Sequence, residues 1–544
     1  MGILESPVSV VVVNESNGQR LHGPRSPLVL SAMTVWAGFD RDVFSVALPT
    51  NVVAILNAHL SREDGQEDLC FVLWQPSLGR ARASALVVDV VLPHANERHV
   101  HGNASFESEY FMRSAAIARE QRCGLGFIHS HPGARGWQRL SVDDFAAESG
   151  IAAQCEALTG SPLLGLTLAT HDSSFSARFW KRIERRGFEP LWCESVRVAG
   201  RRICVNFNPQ LRPEPSPRAS QVRTVSAWGE RIQSDLARLR IGVIGAGSVG
   251  AQVAESLART GVANITLYDF DVVEEKNLDR LIHATIEDVF QSKVEVLRRG
   301  LLKSSTAANP EIRALQISVV EPEGLVDALD MDVLFCCVDR PWGRQVANYL
   351  AYVHLIPVVD GGVCVDLAST RIRGAEWRAH VVTAERCCLE CLGQFDPADV
   401  SLERSGLLDD PHYIQSRATL GNALPSGENV FAFAAAAAVA EVLQFLASFV
   451  QPAGVEGIEP QIFHFANGKV DLDTRECADG CLYSGIWLGR GDSLDVTVTG
   501  PHHAAEAIRT SHPDKRSLSP PTSLRSILTA MLRRARFVER REIK

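Results

Sequence analysis

The sequence predicts an α/β protein in two folded parts, an α+β part followed by one built on a parallel sheet. Three observations lead there. From about residue 222 apolar strand-like runs alternate with helical segments: LRIGVIGAG, VGAQVAESLARTG, NITLYDFD, and later DVLFCCVD and IPVVDGG, the buried-strand signature of a parallel sheet. Residues about 1–200 instead mix short strands (ALVVDVVLP, SPLLGLTLAT) with helical stretches such as SEYFMRSAAIAREQ. Between the two lies FNPQLRPEPSPRASQ, with four prolines and no apolar periodicity, which reads as a linker. The expected organisation is therefore a first domain at 1–205, a linker at 206–221, a second domain at 222–484 and a polar, basic tail at 485–544.

Composition bounds the function. A chain of 544 residues is too long for one ordinary domain, and 46% hydrophobic with 22% charged residues is a globular balance. Lysine plus arginine (55) against aspartate plus glutamate (64) leaves −9, which argues against a whole-chain nucleic-acid binder. The start, MGILESPVSVVVV, carries an acid and a proline where a secretory signal wants a basic run, so a cytoplasmic location is expected. The stretch 430–450, VFAFAAAAAVAEVLQFLASFV, is long enough to span a bilayer, but it is alanine-rich and holds Glu441 and Gln444. A buried helix, and no membrane, is the expectation.

Thirteen cysteines divide into groups. Cys70, Cys123, Cys155, Cys193, Cys204, Cys336 and Cys337 sit among apolar neighbours and read as core thiols in a reducing compartment. Cys388 and Cys391, with Cys477 and Cys481, have metal-ligand spacing rather than that of a disulfide framework.

Two constellations carry chemistry. In GFIHSHPG, His129 and His131 lie two apart after an apolar run, so in an extended strand both imidazoles face one side. Ser141 and Asp144 follow in SVDD; Ser141 is placed to cap a helix, with Asp144 in its first turn. Two imidazoles and a carboxylate with an open fourth position make a catalytic zinc arrangement. Glu67, at the head of a strand in GQEDLCFVLW, is the candidate general base, with Glu63 and Asp68 close by.

In the second part GVIGAGSVG gives Gly245, Gly247 and Gly250 at the G-x-G-x-x-G spacing, after a strand and opening a helix, where amides receive phosphate. Asp269 and Asp271 end the next strand, where an acid takes a ribose hydroxyl. Asn277, Arg280 and Lys293 then supply an amide and two cations, which suit a triphosphate better than the nicotinamide of a dehydrogenase. Asp339 stands at a strand's carboxyl end, where it can hold Mg²⁺.

The strand glutamate, H-S-H-P and S-x-x-D resemble the JAMM motif of JAB/MPN metalloproteases over roughly 40–180. That resemblance implies zinc on His129, His131 and Asp144, a proton shuttle at Glu67 and oxyanion support from Ser141. Nine residues separate His131 from Ser141, where the family usually has about seven; a two-residue loop insertion near Gly136–Trp137 absorbs the difference.

Residues 222–484 resemble the ThiF/MoeB and ubiquitin-activating adenylyltransferases. The glycine loop, D-x-D, Asn277-Leu278-Asp279-Arg280, Lys293 thirteen residues past Arg280, and Asp339 with Arg344 match in order, with Leu281 standing where glutamine is common. This resemblance implies a Rossmann-like domain that binds ATP and Mg²⁺ and adenylates the C-terminal glycine of a ubiquitin-like protein. By the same likeness Asp271 takes the ribose, Asn277, Arg280 and Lys293 the phosphates, and Asp339 the magnesium. Arg223 or Arg231 is the candidate for an arginine ahead of the loop, and the four cysteines for a structural zinc. A thioester cysteine is harder to find, because 392–476 contains none; Cys364 and Cys387 are the nearest.

Together these imply a bifunctional enzyme that trims or releases, and activates, one ubiquitin-like or sulfur-carrier protein, like fusions in bacterial conjugation operons. A conjugating enzyme or a sulfurtransferase and a homodimer are the implied partners. Sulfur transfer in cofactor or cysteine biosynthesis is the alternative reading, and an inactive first domain acting as a scaffold a third.

Overall fold

The computed structural model describes residues 36–409 (except 102, 185, 369 and 370), 429–450 and 458–511. The opening segment MGILESPVSVVVV and the basic segment LRRARFVERREIK lie outside them.

The first part contains β1 (Val43–Pro49), α1 (Thr50–Leu60), β2 (Leu69–Leu78), β3 (Arg82–Val91), a hairpin of β4 (Arg98–His101) and β5 (Asn103–Phe106), α2 (Ser108–Glu120), β6 (Gly124–His131) and α3 (Val142–Thr159). Five more strands follow: β7 (Leu164–Ala169), β8 (Ser174–Ile183), β9 (Gly187–Trp192), β10 (Ser195–Ala199) and β11 (Ile203–Phe207). Except for the hairpin they form one mixed sheet, ordered β11-β10-β1-β3-β2-β6-β7-β8-β9. Strand β2 shows why both faces are apolar. Its alternate residues Cys70, Val72 and Trp74 pack with Val52 and Leu56 of α1. Leu69, Phe71 and Leu73 point the other way, onto Tyr110 and Phe111 of α2 and Ala152 and Cys155 of α3. A central strand sandwiched between helices thus reads as one continuous hydrophobic run.

The second part runs α4 (Val222–Arg238), β12 (Arg240–Ile244), α5 (Ser248–Thr260), β13 (Asn264–Tyr268), α6 (Lys293–Ser304), β14 (Glu311–Leu315) and α7 (Pro322–Ala328). Then come β15 (Val333–Cys336), α8 (Pro341–Val353), β16 (Val358–Ala368), β17 (Arg371–Val382), α9 (Pro397–Arg404), a long helix Phe431–Val450, β18 (Gln461–His464) and β19 (Lys469–Leu472). The sheet order is β14-β13-β12-β15-β16-β17-β18-β19, parallel through β16 and antiparallel beyond. This is the expected Rossmann-like arrangement. Its order reverses between β12 and β15, so the crevice at their carboxyl ends is where such sheets bind ligands.

Phe431–Val450 is the one described helix long and apolar enough to cross a membrane, and it is mostly buried. Ala434, Ala437 and Ala438 pack into the core beside Ala251 and Ala254 of α5. Its polar residues face inward too: Gln444 Nε2 donates to the Glu459 carbonyl at 2.8 Å, and Glu441 accepts from Cys337 Sγ at 3.3 Å.

The described residues group as one compact unit, and the two sheets meet over buried charge. Arg82 of β3 donates to Asp332, just ahead of β15, at 2.7 Å, with both side chains almost fully buried. Asp330 accepts the backbone N–H groups of Ala81 and Arg82, Arg197 Nε donates to the Leu355 carbonyl, and Arg240 pairs with Glu194. Within the segment expected as a linker, Arg212 Nε lies 2.8 Å from Glu194. Of the segment expected as a tail, residues 485–511 carry a helix, His503–Ser511, and contacts to β2 of the first part and α8 of the second. Asp492 accepts the Leu78 N–H at 2.8 Å, Ser493 donates to Gln75, and Trp342 Nε1 donates to the Val498 carbonyl.

Candidate functional site

Three constellations stand out, each at an element's end. The first is at the exit of β6. β2 pairs antiparallel with β6 with Leu69 opposite His129, and just ahead of β2 the Asp68 carbonyl accepts the Ser130 N–H at 2.9 Å, which carries the preceding Glu67 toward His131. Glu67 is close enough for its charge to raise the His131 pKa. Asp68 faces away and is held by Arg62, Arg98 and the Leu69 N–H. Of the two adjacent acids, Glu67 is therefore the one at the histidines. Ser141 caps α3: its Oγ accepts the Asp144 N–H at 3.1 Å, and Asp144 Oδ2 accepts the Ser141 N–H at 2.8 Å. That reciprocal capping box fixes Asp144 on the first turn, aimed back at β6.

The donor atoms converge. His129 Nε2 and His131 Nε2 are 3.2 Å apart, and the Asp144 oxygens lie 3.4 Å from the first and 3.5 Å from the second. Ligands about 2.0–2.1 Å from a tetrahedral ion are about 3.3–3.4 Å from each other, so the spacing fits zinc. Burial works to raise the Asp144 carboxyl, but the two imidazoles hold it well below the usual range, and Asp144 in turn raises His131 against burial. Two surrounding groups carry no signal in the sequence. Glu148 of α3 is fully buried, with Oε1 3.8 Å from His129 Nδ1, and is gripped by Arg178 and by Trp180 Nε1 at 2.6 Å. Gln138, in the loop before α3, has Oε1 3.3 Å from His131 Nδ1.

The second constellation is the glycine loop between β12 and α5. Gly245 has φ +94°, and a Cβ there would meet the Cys337 carbonyl oxygen at 2.8 Å. A Cβ on Gly250 would lie 1.8 Å from the Gly245 carbonyl oxygen, whereas one on Gly247 would meet nothing within 4 Å. Gly245 and Gly250 thus set the turn, and Gly247 leaves open the face a phosphate approaches. Asp269 supports the loop from beneath: its oxygens accept the N–H groups of Ala246 at 2.7 Å and Asp271 at 2.8 Å, and burial pushes its pKa up. Lys293 opens α6 with Nζ 2.8 Å from Asp271 Oδ2. Burial works to lower its pKa, but Asp269, Asp271 and Asp339 surround it and raise it.

Asn277 is buried, with Oδ1 accepting the Glu274 N–H at 3.2 Å. Arg280 Nη1 donates to the Lys276 carbonyl and to Asp279, each at 2.8 Å. Asp339 is exposed past β15, and Arg344 Nη2 donates to the Val338 carbonyl at 2.7 Å, bracing that strand end. Arg223 and Arg231 are exposed on α4.

The third is the cysteine set. The sulfurs of Cys388, Cys391, Cys477 and Cys481 all lie within 4.8 Å of one another, with Cys388 and Cys481 at 3.7 Å. A tetrahedral ion with sulfurs at about 2.3 Å sets them about 3.8 Å apart. Backbone amides also point at the sulfurs: Cys388 N–H at Cys477 Sγ, 3.2 Å, and Cys391 N–H at Cys388 Sγ, 3.3 Å. This donor set suits a closed structural zinc. Of the thioester candidates, Cys387 is buried; Cys364 is exposed, but partial burial and then Glu376 and Asp366 push its thiol up, away from the nucleophilic form.

Residues 219–480 match the ThiF family. Curated relatives include the tRNA threonylcarbamoyladenosine dehydratase of Escherichia coli, 32% identical over 28% of this chain and 56% of its own. The Escherichia coli molybdopterin-synthase adenylyltransferase is 31% identical over 24% and 51%. The ubiquitin-like modifier-activating enzyme 5 of Drosophila willistoni is 27% identical over 26% and 38%. The chain spans about half the length of the first two relatives and less of the third. Residues 219–480 therefore form a ThiF-family domain.

Proposed function

We propose that the chain is a bifunctional enzyme acting on the C-terminal glycine of a ubiquitin-like or sulfur-carrier protein. The second domain adenylates that glycine with ATP and Mg²⁺, and the first is a JAB/MPN-type zinc peptidase or isopeptidase that matures or releases the same protein. The observation that carries the adenylation reading is Lys293, ringed by Asp271 and Asp339 beside an open Gly247, within a ThiF-family domain. In this reaction the glycine carboxylate oxygen attacks the α-phosphorus of ATP and the bond to pyrophosphate breaks. Arg280 and Lys293 neutralise the developing charge, Asn277 helps seat the phosphates, Asp271 holds the ribose and Asp339 the magnesium. Two relatives whose names state activation or adenylylation, one of a ubiquitin-like modifier, support this.

The peptidase reading rests on the convergence of His129, His131 and Asp144. Zinc held by these three side chains would activate a water near neutral pH. Glu67 is placed to take a proton from an attacking water and return it to the leaving amine, and the Ser141 hydroxyl to donate to the oxyanion. The four cysteines would hold a second, structural zinc. Transfer goes on to a conjugating enzyme or a sulfurtransferase, in the cytoplasm, from a homodimer formed through the ThiF-family domain.

The test is ATP–pyrophosphate exchange with candidate carriers from the same source, with Asp339→Ala as control. No exchange with any carrier bearing a free terminal glycine overturns the activation claim. Carrier-precursor cleavage that survives in both His129→Ala and Glu67→Gln overturns the peptidase claim.

A further inference from the structure

The JAMM-like spacing is two residues longer than usual between His131 and Ser141, and the longer loop is built into the structure. Gly136 N–H donates to Asp172 at 3.0 Å, and Gln138 N–H to Ser176 Oγ at 2.6 Å. Gln138 is held at both ends of its amide: Nε2 donates to the carbonyls of Arg135 at 2.8 Å and Gly136 at 3.0 Å, while Oε1 faces His131 Nδ1 at 3.3 Å. The two carbonyls decide the amide's orientation, because a carbonyl accepts only from the NH₂ side. Oε1 is thereby committed toward the imidazole, and an amide oxygen there requires a proton on Nδ1. A neutral imidazole with Nδ1–H carries its lone pair on Nε2, the atom that converges with His129 and Asp144.

We infer that Gln138 is a positioning residue that fixes His131 in the Nδ1–H form and orients its Nε2 lone pair for zinc; this rests on the proposed reading of the site as a zinc centre. His129 has a counterpart in Glu148, but that carboxylate is also the anchor of the buried Arg178 and Trp180. Gln138 is the supporting group that can be changed without opening the core. An outer partner of a metal-bound histidine is worth about 10–100-fold in metal affinity.

The experiment is zinc titration of the metal-stripped full chain against a chromophoric chelator, in wild type, His131→Ala, Gln138→Met and Gln138→Glu. His131→Ala identifies the histidine site by removing one zinc equivalent. Gln138→Met keeps the side chain's length but has no acceptor, and weakens that equivalent about 10–100-fold with an unchanged melting temperature. Gln138→Glu restores an acceptor and with it the affinity, which a merely structural role of the loop would not do. Wild-type zinc affinity in Gln138→Met, with the equivalent still lost in His131→Ala, overturns the positioning role and leaves the zinc centre standing. An unchanged zinc count in His131→Ala overturns both.

Discussion

Replacing Arg82 by methionine tests whether the two sheets are one cooperative structure. Arg82 Nη1 donates to Asp332 at 2.7 Å and to the Met331 carbonyl at 3.3 Å, and both charged side chains are shut off from water. Methionine fills most of the volume but leaves Asp332 with Arg197 at 3.7 Å and the Arg240 N–H at 2.8 Å. Breaking a buried pair from one side costs about 3–5 kcal/mol, because the remaining charge stays buried. Unfolding entropy of about 2 cal/mol/K per residue over about 500 residues is roughly 1 kcal/mol/K, so the melting temperature falls by about 3–5 °C. Differential scanning calorimetry also shows the single transition separating into two as the sheets uncouple. Asp332→Asn added to Arg82→Met costs less than the sum of the two single changes, since the Arg82–Asp332 pair can be lost only once. A shift under about 1 °C with additive energies would show that this contact does not join the halves.

Three further outcomes follow from the geometry. Gly247→Ala leaves the melting temperature unchanged but weakens ATP binding by calorimetry, whereas Gly250→Ala, with its Cβ 1.8 Å from a carbonyl oxygen, lowers the melting temperature. Cys388→Ala removes one zinc equivalent by metal analysis and destabilises the ThiF-family domain, and a chelator does the same to wild type. Burial lowers the His354 pKa to about 3, below its unfolded value of about 6.5, so the unfolded chain binds the extra proton between those limits. Stability from this group is present above about pH 6.5 and lost as pH falls toward 3, by about 2 kcal/mol at pH 5. His354→Gln flattens that part of the urea-denaturation profile against pH.

The site was legible where chemistry depends on local spacing. His129 and His131 two apart in a strand, Ser141 three before Asp144 in a cap, and glycines where side chains would strike carbonyls all follow from short-range geometry. Glu67 needed the strand register to separate it from Asp68, which no spacing supplies. Glu148 and Gln138 were hidden because each looks like an ordinary surface polar residue until the fold folds it against an imidazole. The junction was hidden for the same reason at longer range: Arg82 and Asp332 are 250 residues apart, and an isolated arginine in a sequence says nothing of its burial. The parallel core of the second part was legible because strands alternating with helices pair in parallel, whereas the antiparallel extension β17–β19 was not. Nor was the folding of 485–511, since its contacts depend on single long-range hydrogen bonds, Leu78 N–H to Asp492 and Trp342 Nε1 to the Val498 carbonyl, rather than on periodicity.

The bond from Leu78 to Asp492 spans 414 residues, and this has a bearing on how the protein is made. At about 5–20 residues per second, roughly 20–80 s of translation separate the emergence of β2 from that of its last partner. During that interval the first sheet can close on its own helices, but the surface around Gln75, Arg82 and Arg197 stands bare beside the ribosome, with its buried charges in water and its apolar neighbours uncovered. Nascent-chain proteolysis should therefore find the first sheet protected early, Arg82 and Arg197 covered after residues 330–355 emerge, and Gln75 and Leu78 covered only at the end. A chaperone that shields one patch for about a minute would serve this chain better than one that unfolds it.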